Sequence, residues 1–331
     1  MTSLLEVRNL YLYYADRQGD VRAVDGVSFT LEEGGQALAI VGESGCGKSS
    51  LAMAIMRMLP DNVARFEGEV LLEGRELLSL PEPVFRQEIR WRRMALVPQG
   101  AMNALNPVMR VGEQIIEPLL VSGGAEHRIA RARAEALLEQ VGLAAEVYHR
   151  FPHELSGGMK QRTMIASALI MSPRLVLLDE PTSALDVSVQ AQINNLLKRL
   201  KWELGIAILL VTHDIAVASD VCDELAVMYA GELVERGSAE KVLTTPVHPY
   251  TQKLLASIPR LHADRKPEFI PGAPPDLRNP PAGCRFHPRC PYVMERCRHE
   301  PPPIVYPEVG HQVRCWLPGK QIVGHPEEKR S

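Results

Sequence analysis

Ala37-Leu-Ala-Ile-Val41, followed directly by Gly42-Glu-Ser-Gly-Cys-Gly-Lys48-Ser49, is the stretch of sequence that decides the fold. Its first five residues are all apolar, as is typical of a strand that is covered on both faces of a parallel sheet. The next eight match the pattern G-x-x-x-x-G-K-[ST], a loop that cradles phosphate groups when a strand precedes it and a helix follows it. Both conditions hold, since a helical stretch begins at about Ser49. The segment therefore predicts a phosphate loop, and a Gly-rich turn of purely structural purpose is the alternative.

A phosphate loop of this kind predicts a site for a nucleoside triphosphate. Its glycines allow backbone N–H groups to point at the phosphate oxygens, and the N-terminus of the following helix adds partial positive charge. Lys48 is expected to reach the β- and γ-phosphates, and the hydroxyl of Ser49 is expected to bind Mg²⁺. The residues predicted to surround the phosphates are Gly42, Glu43, Ser44, Gly45, Cys46, Gly47, Lys48, Ser49 and Ser50.

Two further apolar runs and a helix-rich stretch give the fold class. Residues 175–178 and 206–211 are entirely apolar, as expected of central strands, and they predict an α/β core with a largely parallel sheet. Residues from about 104 to 170 favour helix, above all the Ala-, Arg-, Glu- and Leu-rich stretch 128–141. We therefore expect a helical subdomain inserted into the α/β core.

The composition changes after about residue 260, where prolines become dense. Such density forbids long helices and is typical of an extended, loop-rich segment. The sequence thus predicts an α/β domain over residues 1–260 and a Pro-rich C-terminal extension over residues 261–331.

Two carboxylates follow the apolar run at 175–178, in the sequence Asp179-Glu180-Pro181. The strand would deliver Asp179 beside the phosphate loop, where it can hold Mg²⁺. Glu180 is the next residue, so it can orient the attacking water as a general base. An acidic loop that caps a strand is the structural alternative, but the pairing with a phosphate loop favours a hydrolytic site.

Leu155-Ser156-Gly157-Gly158-Met-Lys-Gln161-Arg lies between these two motifs. Ser-Gly-Gly before a helical run offers free N–H groups and a hydroxyl suited to a phosphate, although alone it would serve equally well as a helix cap. In this company the stretch resembles the unaltered signature of the ATP-binding-cassette (ABC) ATPases, Leu-Ser-Gly-Gly-x-x-Gln-Arg. The resemblance covers residues 5 to about 260 and implies a P-loop NTPase of the RecA-like type, an ABC nucleotide-binding domain with a helical subdomain.

The remaining family elements follow in the family's order. Gln99 resembles the Q-loop glutamine, which senses Mg²⁺ and the membrane subunit. Asp186 resembles the D-loop aspartate, and His213 resembles the switch histidine that contacts the γ-phosphate. Tyr14 matches the aromatic residue that stacks on adenine, with Tyr13 as its rival, and for either tyrosine an ordinary strand residue is the alternative.

The resemblance also implies a mechanism and partners. Two such subunits would sandwich two ATP molecules head to tail, so that the signature residues complete the site of the partner. ATP would favour the closed dimer and hydrolysis would release it, which drives the membrane subunits between inward- and outward-facing states. The implied partners are a second cassette, a related chain rather than an identical one, two transmembrane permease subunits and, indirectly, an extracytoplasmic solute-binding protein. The signature residues concerned are Ser156, Gly157, Gly158 and Gln161.

The C-terminal part resembles the subfamily that serves oligopeptide and dipeptide importers. Residues 245–252 and 283–291 carry this likeness, together with residues 21–29 near the N-terminus. Relatives in that subfamily carry nickel or oligosaccharides, which remain alternatives to peptides because the ATPase does not touch the solute. An ABC ATPase outside transport is the rival from another class, and it would need a second cassette or a coiled-coil insertion with several sustained heptads. A protein regulated by ATP binding alone is a further rival, which the intact Glu180 and His213 disfavour.

Four of the six cysteines crowd the extension, at the spacing C-x5-C-x6-C-x17-C. Zinc ribbons usually pair cysteines two to four residues apart, so these wider gaps fit a bulkier cluster held by four thiolates. Some members of the subfamily that the chain resembles carry a [4Fe–4S] cluster there. The predicted ligands are Cys284, Cys290, Cys297 and Cys315.

Two alternatives to the iron–sulfur interpretation stay open, because four cysteines permit more than one metal. Zinc is the first, with His287, His299 or His311 as nearby ligands, and free thiols are the second. Disulfides are disfavoured in a reducing cytosol. A cluster would supply order to a segment with few apolar residues. Since the segment lies beyond the catalytic motifs, its loss is expected to leave nucleotide binding largely intact.

Composition excludes other classes of protein. The formal net charge is −3 and aromatic residues make up 5% of the chain, so neither a basic patch nor a base-stacking platform indicates a nucleic-acid partner. No apolar stretch approaches the roughly 20 residues of a membrane span, and the N-terminus lacks the pattern of a signal peptide. We therefore expect a peripheral protein that docks on separate membrane subunits at the cytoplasmic face of the membrane.

Overall fold

A computed structural model describes residues 3–100, 103–183, 185–258 and 269–319. The fold is α/β, as the sequence predicts, and its strands form two sheets. The strands are β1 (Ser3–Tyr14), β2 (Val21–Glu32), β3 (Ala37–Val41), β4 (Val63–Leu72), β5 (Arg75–Glu76), β6 (Met94–Val97), β7 (Leu175–Asp179), β8 (Ala207–Thr212), β9 (Glu224–Tyr229), β10 (Glu232–Ser238), β11 (Ile304–Glu308) and β12 (His311–Arg314). The α-helices are α1 (Lys48–Ile55), α2 (Glu82–Val84), α3 (Val111–Gly123), α4 (His127–Gln140), α5 (Gly157–Leu169), α6 (Val187–Leu204), α7 (Ile215–Val221), α8 (Ala239–Thr244), α9 (Pro249–Ala256) and α10 (Glu295–His299).

The larger sheet has the order β11-β12-β10-β9-β3-β8-β7-β6. Its centre is parallel, since β3 pairs in parallel with β8 and β9, and β7 does so with β6 and β8. The apolar runs predicted as central strands are confirmed as β3, β7 and β8. Because parallel strands end at the same edge of a sheet, the segments that follow these three strands meet there.

The smaller sheet is antiparallel, with the order β2-β1-β4-β5. Helix α1 lies between the two sheets, in contact with β1 and β2 on one side and with β7 and β8 on the other. Its apolar residues, such as Leu51 and Ile55, are fully buried in the core that both sheets share. This packing fixes the N-terminus of α1, where the phosphate loop ends.

The predicted helical stretch contains α3, α4 and α5, which pack on one another. Helix α4 matches the predicted range 128–141 to within one residue at each end. Its buried Ala130, Ala134, Leu137 and Leu138 recur at the spacing of one helix face and join the core of the large sheet.

The C-terminal extension differs from a purely loop-rich segment. The β11–β12 hairpin extends the large sheet, since β12 pairs antiparallel with β10 through Glu235 opposite Val313 and Arg236 opposite Gln312. Alternate residues of β12 are buried, as in a strand that covers a core. The outer strand β11 contains Pro307, which an edge strand tolerates because it has one unpaired side. The predicted domain boundary at residues 260 and 261 lies outside the described residues and stays a prediction.

None of the helices within the described ranges is long and hydrophobic enough to cross a membrane.

Candidate nucleotide-binding site

The phosphate loop joins β3 to α1, as predicted, and two of its glycines are required by close packing. A Cβ atom at Gly47 would lie 1.9 Å from the carbonyl oxygen of Ala23, and the φ angle of Gly47 is 110°. A Cβ atom at Gly42 would lie 2.2 Å from the carbonyl oxygen of Met228. Any side chain at these positions would displace the loop from the strands that support it.

Lys48 and Ser49 begin α1 on the inner side of this loop. The buried Lys48 ammonium donates to the carbonyl oxygens of Gly42 and Glu43 at 2.9 and 3.0 Å. The Ser49 hydroxyl donates to Asp179 Oδ1 at 3.0 Å. A hydroxyl and a carboxylate at this separation are oxygen ligands of the kind that Mg²⁺ prefers.

Asp179 is the last residue of β7 and lies within the core. Burial raises the pKa of its carboxyl group, and the hydrogen bond from Ser49 and the charge of Lys48 oppose that rise. A carboxylate under these conditions is best stabilised by a neighbouring cation. The environment of Asp179 therefore suits a residue that binds a positively charged metal ion.

Glu180 and His213 meet next to this pair. His213 Nδ1 lies 2.8 Å from Glu180 Oε1. Glu180 has a φ of 49°, in the left-handed region, and its backbone N–H donates to the carbonyl oxygen of Val211 at 2.8 Å. Non-glycine residues in that region are uncommon and are frequent at functional sites. The bend turns the Glu180 side chain out of the strand direction and towards the residue that follows β8.

Gln99 follows β6, the neighbour of β7, so it lies at the same edge of the sheet. Its side chain is exposed. Across the described ranges, no hydrogen bond joins Gln99 to Asp179, so its predicted role in binding Mg²⁺ stays a prediction.

The signature residues lie at the start of α5. Ser156 is the N-cap, whose hydroxyl accepts a hydrogen bond from the Met159 N–H at 3.4 Å, and its side chain is exposed. Gly158 faces α6, where an added Cβ atom would lie 2.6 Å from Val189 Cγ1. Gln161 is buried and its Nε2 has no hydrogen-bond partner among the described residues. No hydrogen bond within the described segments joins this motif to the phosphate loop of its own chain.

Asp186 caps α6. Its Oδ1 accepts hydrogen bonds from Val189 N–H at 2.9 Å and from the Ser188 hydroxyl at 2.6 Å, and the Ser188 bond lowers the pKa of its carboxyl group. Ala184 in the same loop lies outside the described residues. Asp186 thus has a structural role as a helix cap, and its predicted D-loop role stays a prediction.

The two candidate adenine-stacking tyrosines end β1 and differ in their partners. The Tyr13 hydroxyl donates to Asp25 Oδ1 at 2.7 Å and accepts from Arg65 at 3.3 Å. The Tyr14 ring is partly buried against the core between the sheets, and no hydrogen bond of its hydroxyl is found in the described part of the chain. These contacts tie Tyr13 to its neighbours and favour Tyr14 for stacking, although the assignment stays a prediction.

The phosphate loop also contacts two residues that the sequence analysis did not select. The Glu43 N–H donates to the Tyr250 hydroxyl at 2.9 Å, and the Glu43 carboxylate accepts from two nitrogens of Arg289 at 2.7 and 2.9 Å. Both residues belong to stretches used above only for family likeness, 245–252 and 283–291. Neither residue carried a local signal of this role, since the contact joins segments far apart in the chain.

The four extension cysteines border one narrow cavity, together with apolar residues such as Phe286 and Trp316. Burial raises the pKa of Cys284 to about 12 and that of Cys290 to about 11. Across the described residues, no three His, Cys, Asp or Glu side chains form a group that could hold a metal ion. The arrangement therefore brings the predicted ligands together without forming a compact single-ion site.

The three histidines considered for a zinc site differ in position. His287 borders the cysteine cavity and lies 3.0 Å from the carbonyl oxygen of Cys284. His299 lies 3.1 Å from Glu295 Oε1 on the surface, and His311 lies 2.8 Å from the buried Glu235 Oε1. His299 and His311 are thus paired with carboxylates.

Comparison with known families gives two matches along the chain. Residues 24–183 match the model of the ABC transporter family, and residues 234–297 match that of the oligopeptide/dipeptide transporter C-terminal region. The first match contains the phosphate loop, the signature and the Asp179–Glu180 pair. The second contains Tyr250, Arg289 and three of the four cysteines.

Characterised relatives match almost the whole chain. The chain is 44% identical over 322 residues to the oligopeptide transport ATP-binding protein OppD of Bacillus subtilis, covering 96% of this chain and 89% of that one. It is 45% identical over 320 residues to the dipeptide transport ATP-binding protein DppD of Caldanaerobacter subterraneus subsp. tengcongensis, covering 96% and 98%.

Solved structures show the same fold. A dimeric ATP-binding cassette in a post-hydrolysis state with bound ADP and Pi is 30% identical, with a TM-score of 0.63, and the match covers 71% of this chain and 98% of that one. A dimeric bacterial ABC transporter cassette matches with a TM-score of 0.63 at 29% identity, covering 71% and 98%.

Proposed function

Because this chain belongs to the ABC transporter family, as an ATP-hydrolysing subunit of the oligopeptide and dipeptide transporter type, we propose that its phosphate loop binds ATP with Mg²⁺. Hydrolysis of that ATP drives the import of peptides. The proposal rests on two pairs of neighbouring side chains that lie at the same edge of the large sheet. Ser49 and Asp179 form the first pair at 3.0 Å, and Glu180 and His213 form the second at 2.8 Å. One pair suits the metal and the other suits the attacking water.

Each residue has a distinct role in this proposal. Lys48 binds the β- and γ-phosphates. Ser49 and Asp179, with Gln99, would hold Mg²⁺, which would supply charge neutralisation to the phosphate oxygens. Glu180 accepts a proton from the water as that water attacks the γ-phosphorus. The bond from the γ-phosphorus to the bridging oxygen of ADP breaks, so the products are ADP and inorganic phosphate. His213 orients Glu180 and contacts the γ-phosphate.

The proposed active unit contains two cassettes. Ser156, Gly157 and Gly158 lie at an exposed helix start, where free N–H groups are able to bind the γ-phosphate of ATP held by a second cassette. The dimeric arrangement of similar solved cassettes supports this assembly. We propose a related chain as the second cassette rather than an identical one.

A surface groove supports docking to the permease subunits. The groove lies beside α3, and Arg90, Trp91, Leu105 and Val121 line it. The Val121 side chain is 75% exposed, and exposed apolar residues around a groove are typical of interaction sites. We propose that a cytoplasmic segment of the permease occupies this groove, which would hold the protein at the inner face of the membrane.

Peptides are the proposed solute. The C-terminal region matches the oligopeptide/dipeptide transporter model, and the named relatives transport oligopeptides or dipeptides. These matches favour peptides over oligosaccharides and nickel, and they favour a transporter over an ABC ATPase with another role. An importer also implies a solute-binding protein that delivers peptide to the permease.

The test is ATP hydrolysis by the complete transporter in proteoliposomes. With the permeases, the second cassette and the solute-binding protein present, we expect di- or oligopeptides to stimulate hydrolysis and to accumulate inside. Oligosaccharide and nickel serve as matched solute controls. Stimulation by oligosaccharide or nickel and not by peptides would contradict the proposed substrate. A hydrolysis rate that is the same with and without the permeases would contradict the transport role.

We propose in addition that the four extension cysteines hold a [4Fe–4S] cluster. What supports the proposal is that all four thiols border one cavity with apolar walls, and that four thiolates are the usual ligands of such a cluster. Zinc stays the alternative, although the usual zinc pairs of cysteines two to four residues apart are absent from this spacing. When bound, the cluster would supply covalent cross-links to a segment that has few apolar residues.

A further inference from the structure

Glu43, the second residue of the phosphate loop, is held by two residues from the C-terminal third of the chain. Tyr250 accepts a hydrogen bond from its backbone N–H at 2.9 Å. Two nitrogens of Arg289 donate hydrogen bonds to the Glu43 carboxylate at 2.7 and 2.9 Å. Paired bonds of this kind fix the relative orientation of both groups and are stronger than bonds between neutral partners.

Arg289 is itself fixed in place. Its side chain is only 6% exposed. Its Nε donates to the carbonyl oxygen of Pro271 at 2.8 Å, and one of its terminal nitrogens lies 3.3 Å from the Tyr229 hydroxyl. Four of the five N–H donors of Arg289 thus have partners, so Arg289 transmits a positional constraint from the extension to Glu43.

Aromatic packing connects the same two regions. The rings of Tyr229 and Tyr250 are 4.5 Å apart between centroids, and Phe286 lies 5.2 Å from the first and 5.4 Å from the second. Phe286 borders the cysteine cavity, and Arg289 precedes Cys290 in the chain. The wall of the cavity is therefore in contact with the support of the phosphate loop.

The charge of this pair matters for a loop that receives a polyanion. The carboxylate of Glu43 would repel the triphosphate if it were unpaired, and at short range in a partly buried site such repulsion is strong. Arg289 neutralises that charge. The Arg289–Glu43 contact therefore neutralises a negative charge in the phosphate loop, in addition to joining the extension to that loop.

We propose that Arg289 is a positioning residue for ATP binding, which keeps the phosphate loop in its binding conformation by neutralising Glu43. The inference rests on the proposed function, in that the loop must bind ATP. It also replaces the expectation from sequence that damage to the extension leaves nucleotide binding largely intact. A disturbance of the cysteine cavity should instead reach the loop through Arg289 and Phe286.

The experiment measures the dissociation constant of a fluorescent ATP analogue with Mg²⁺ on the full-length chain. Arg289→Met should weaken binding by about tenfold, a typical coupling between neighbouring sites. Arg289→Lys, which keeps the charge but not the paired geometry, should retain part of the affinity. Glu308→Gln is the control, since it breaks an ion pair between the extension and Lys241 far from the loop, and it should bind as the parent does.

Reversal by a second substitution separates positioning from a general loss of structure. If Arg289 acts by neutralising Glu43, then adding Glu43→Gln to Arg289→Met should restore most of the lost affinity. This recovery of affinity should occur even if the thermal unfolding midpoint of the double variant remains that of Arg289→Met. Binding by Arg289→Met within about twofold of the parent, or a loss that Glu43→Gln does not reverse, overturns the proposal. Failure of the parent chain itself to bind the analogue would instead overturn the proposed function.

Discussion

The His213 imidazole lies 2.8 Å from the Glu180 carboxylate, although 33 residues separate them. The contact exists because β7 and β8 are neighbours in a parallel sheet and end at the same edge. The left-handed backbone of Glu180 then turns its side chain towards the end of β8. The proposed general base and its proposed orienting partner thus meet because of strand order and one unusual φ angle.

Glu180→Gln should nearly abolish hydrolysis while ATP binding persists. The amide cannot accept the proton of the attacking water, and loss of a general base commonly costs roughly 10²–10⁴ in rate. Steady-state phosphate release and a binding titration measure the two quantities separately. Glu203→Gln, on the exposed face of α6, is the matched control. Turnover of Glu180→Gln within about threefold of the parent would show that Glu180 is not the base.

Ser156 should act on the ATP bound by the other cassette. In a transporter with two identical cassettes, mixing Ser156→Arg subunits with Lys48→Ala subunits should leave one site with both defects and the other with neither. Hydrolysis in the mixture, absent from either variant alone, would support the head-to-tail arrangement. With a different natural partner, both defects placed in this chain should damage opposite sites. Hydrolysis that is insensitive to Ser156→Arg would contradict the assignment.

Anaerobically purified protein should contain about four irons per chain and absorb broadly near ~400 nm, as a [4Fe–4S] cluster does. Cys290→Ser should lose the iron, because one of four thiolate ligands is removed. Cys222→Ser, in the buried core away from the cavity, is the matched control and should keep it. One zinc and no iron in the parent preparation would contradict the cluster and favour the zinc alternative.

The same Cys290→Ser protein tests the coupling to the phosphate loop. We expect its ATP affinity to fall in parallel with its iron content, since Arg289 is the adjacent residue. The dissociation constant, measured before and after iron loss, gives the comparison. Unaltered affinity in an iron-free sample would show that the cavity and the loop are independent.

Acid should destabilise the protein through His248. Burial lowers the pKa of its imidazole to about 4, against the opposing charge of the buried Glu235, which also pairs with His311. Its Nδ1 accepts the Tyr250 N–H at 3.0 Å, so the folded state requires the neutral ring. Between a pH of about 6.5 and a pH of about 4, the imidazole binds a proton in the unfolded chain but not in the folded chain. The free energy of unfolding therefore falls as the pH falls through this range, by up to about 3 kcal/mol.

His248→Asn isolates this effect. The asparagine oxygen keeps an acceptor for the Tyr250 N–H but does not titrate in this range. Denaturant midpoints at pH 7 and pH 5 should differ less in the variant than in the parent. An equal acid sensitivity of both proteins would contradict the assignment of the effect to His248.

Much of the fold and the family could be predicted because the deciding residues are contiguous. The phosphate loop follows an apolar strand and precedes a helix, and both neighbours have nearly the predicted bounds. Helix α4 was predictable from the recurrence of its buried alanines and leucines. The likeness to ABC ATPases is confirmed by the family match and by relatives over most of the chain.

Other features have no local signal. The β11–β12 hairpin was not predicted, since the prolines around it favour loops and its stability comes from pairing with β10. Tyr13 and Tyr14 are adjacent and chemically equal, and only their packing against Asp25 or the core distinguishes them.

The sequence by itself determined the phosphate loop, the signature, the order of the catalytic segments and the crowding of cysteines, because each depends on residue types at fixed short spacing. Only the tertiary structure decided that Arg289 pairs with Glu43, 246 positions earlier in the chain. It also decided that Phe286, which borders the cysteine cavity, packs on Tyr250. The physical reason is that such contacts depend on which strands pair and how side chains fill the space between them. Residues far apart in the chain meet there without any pattern that spacing could reveal.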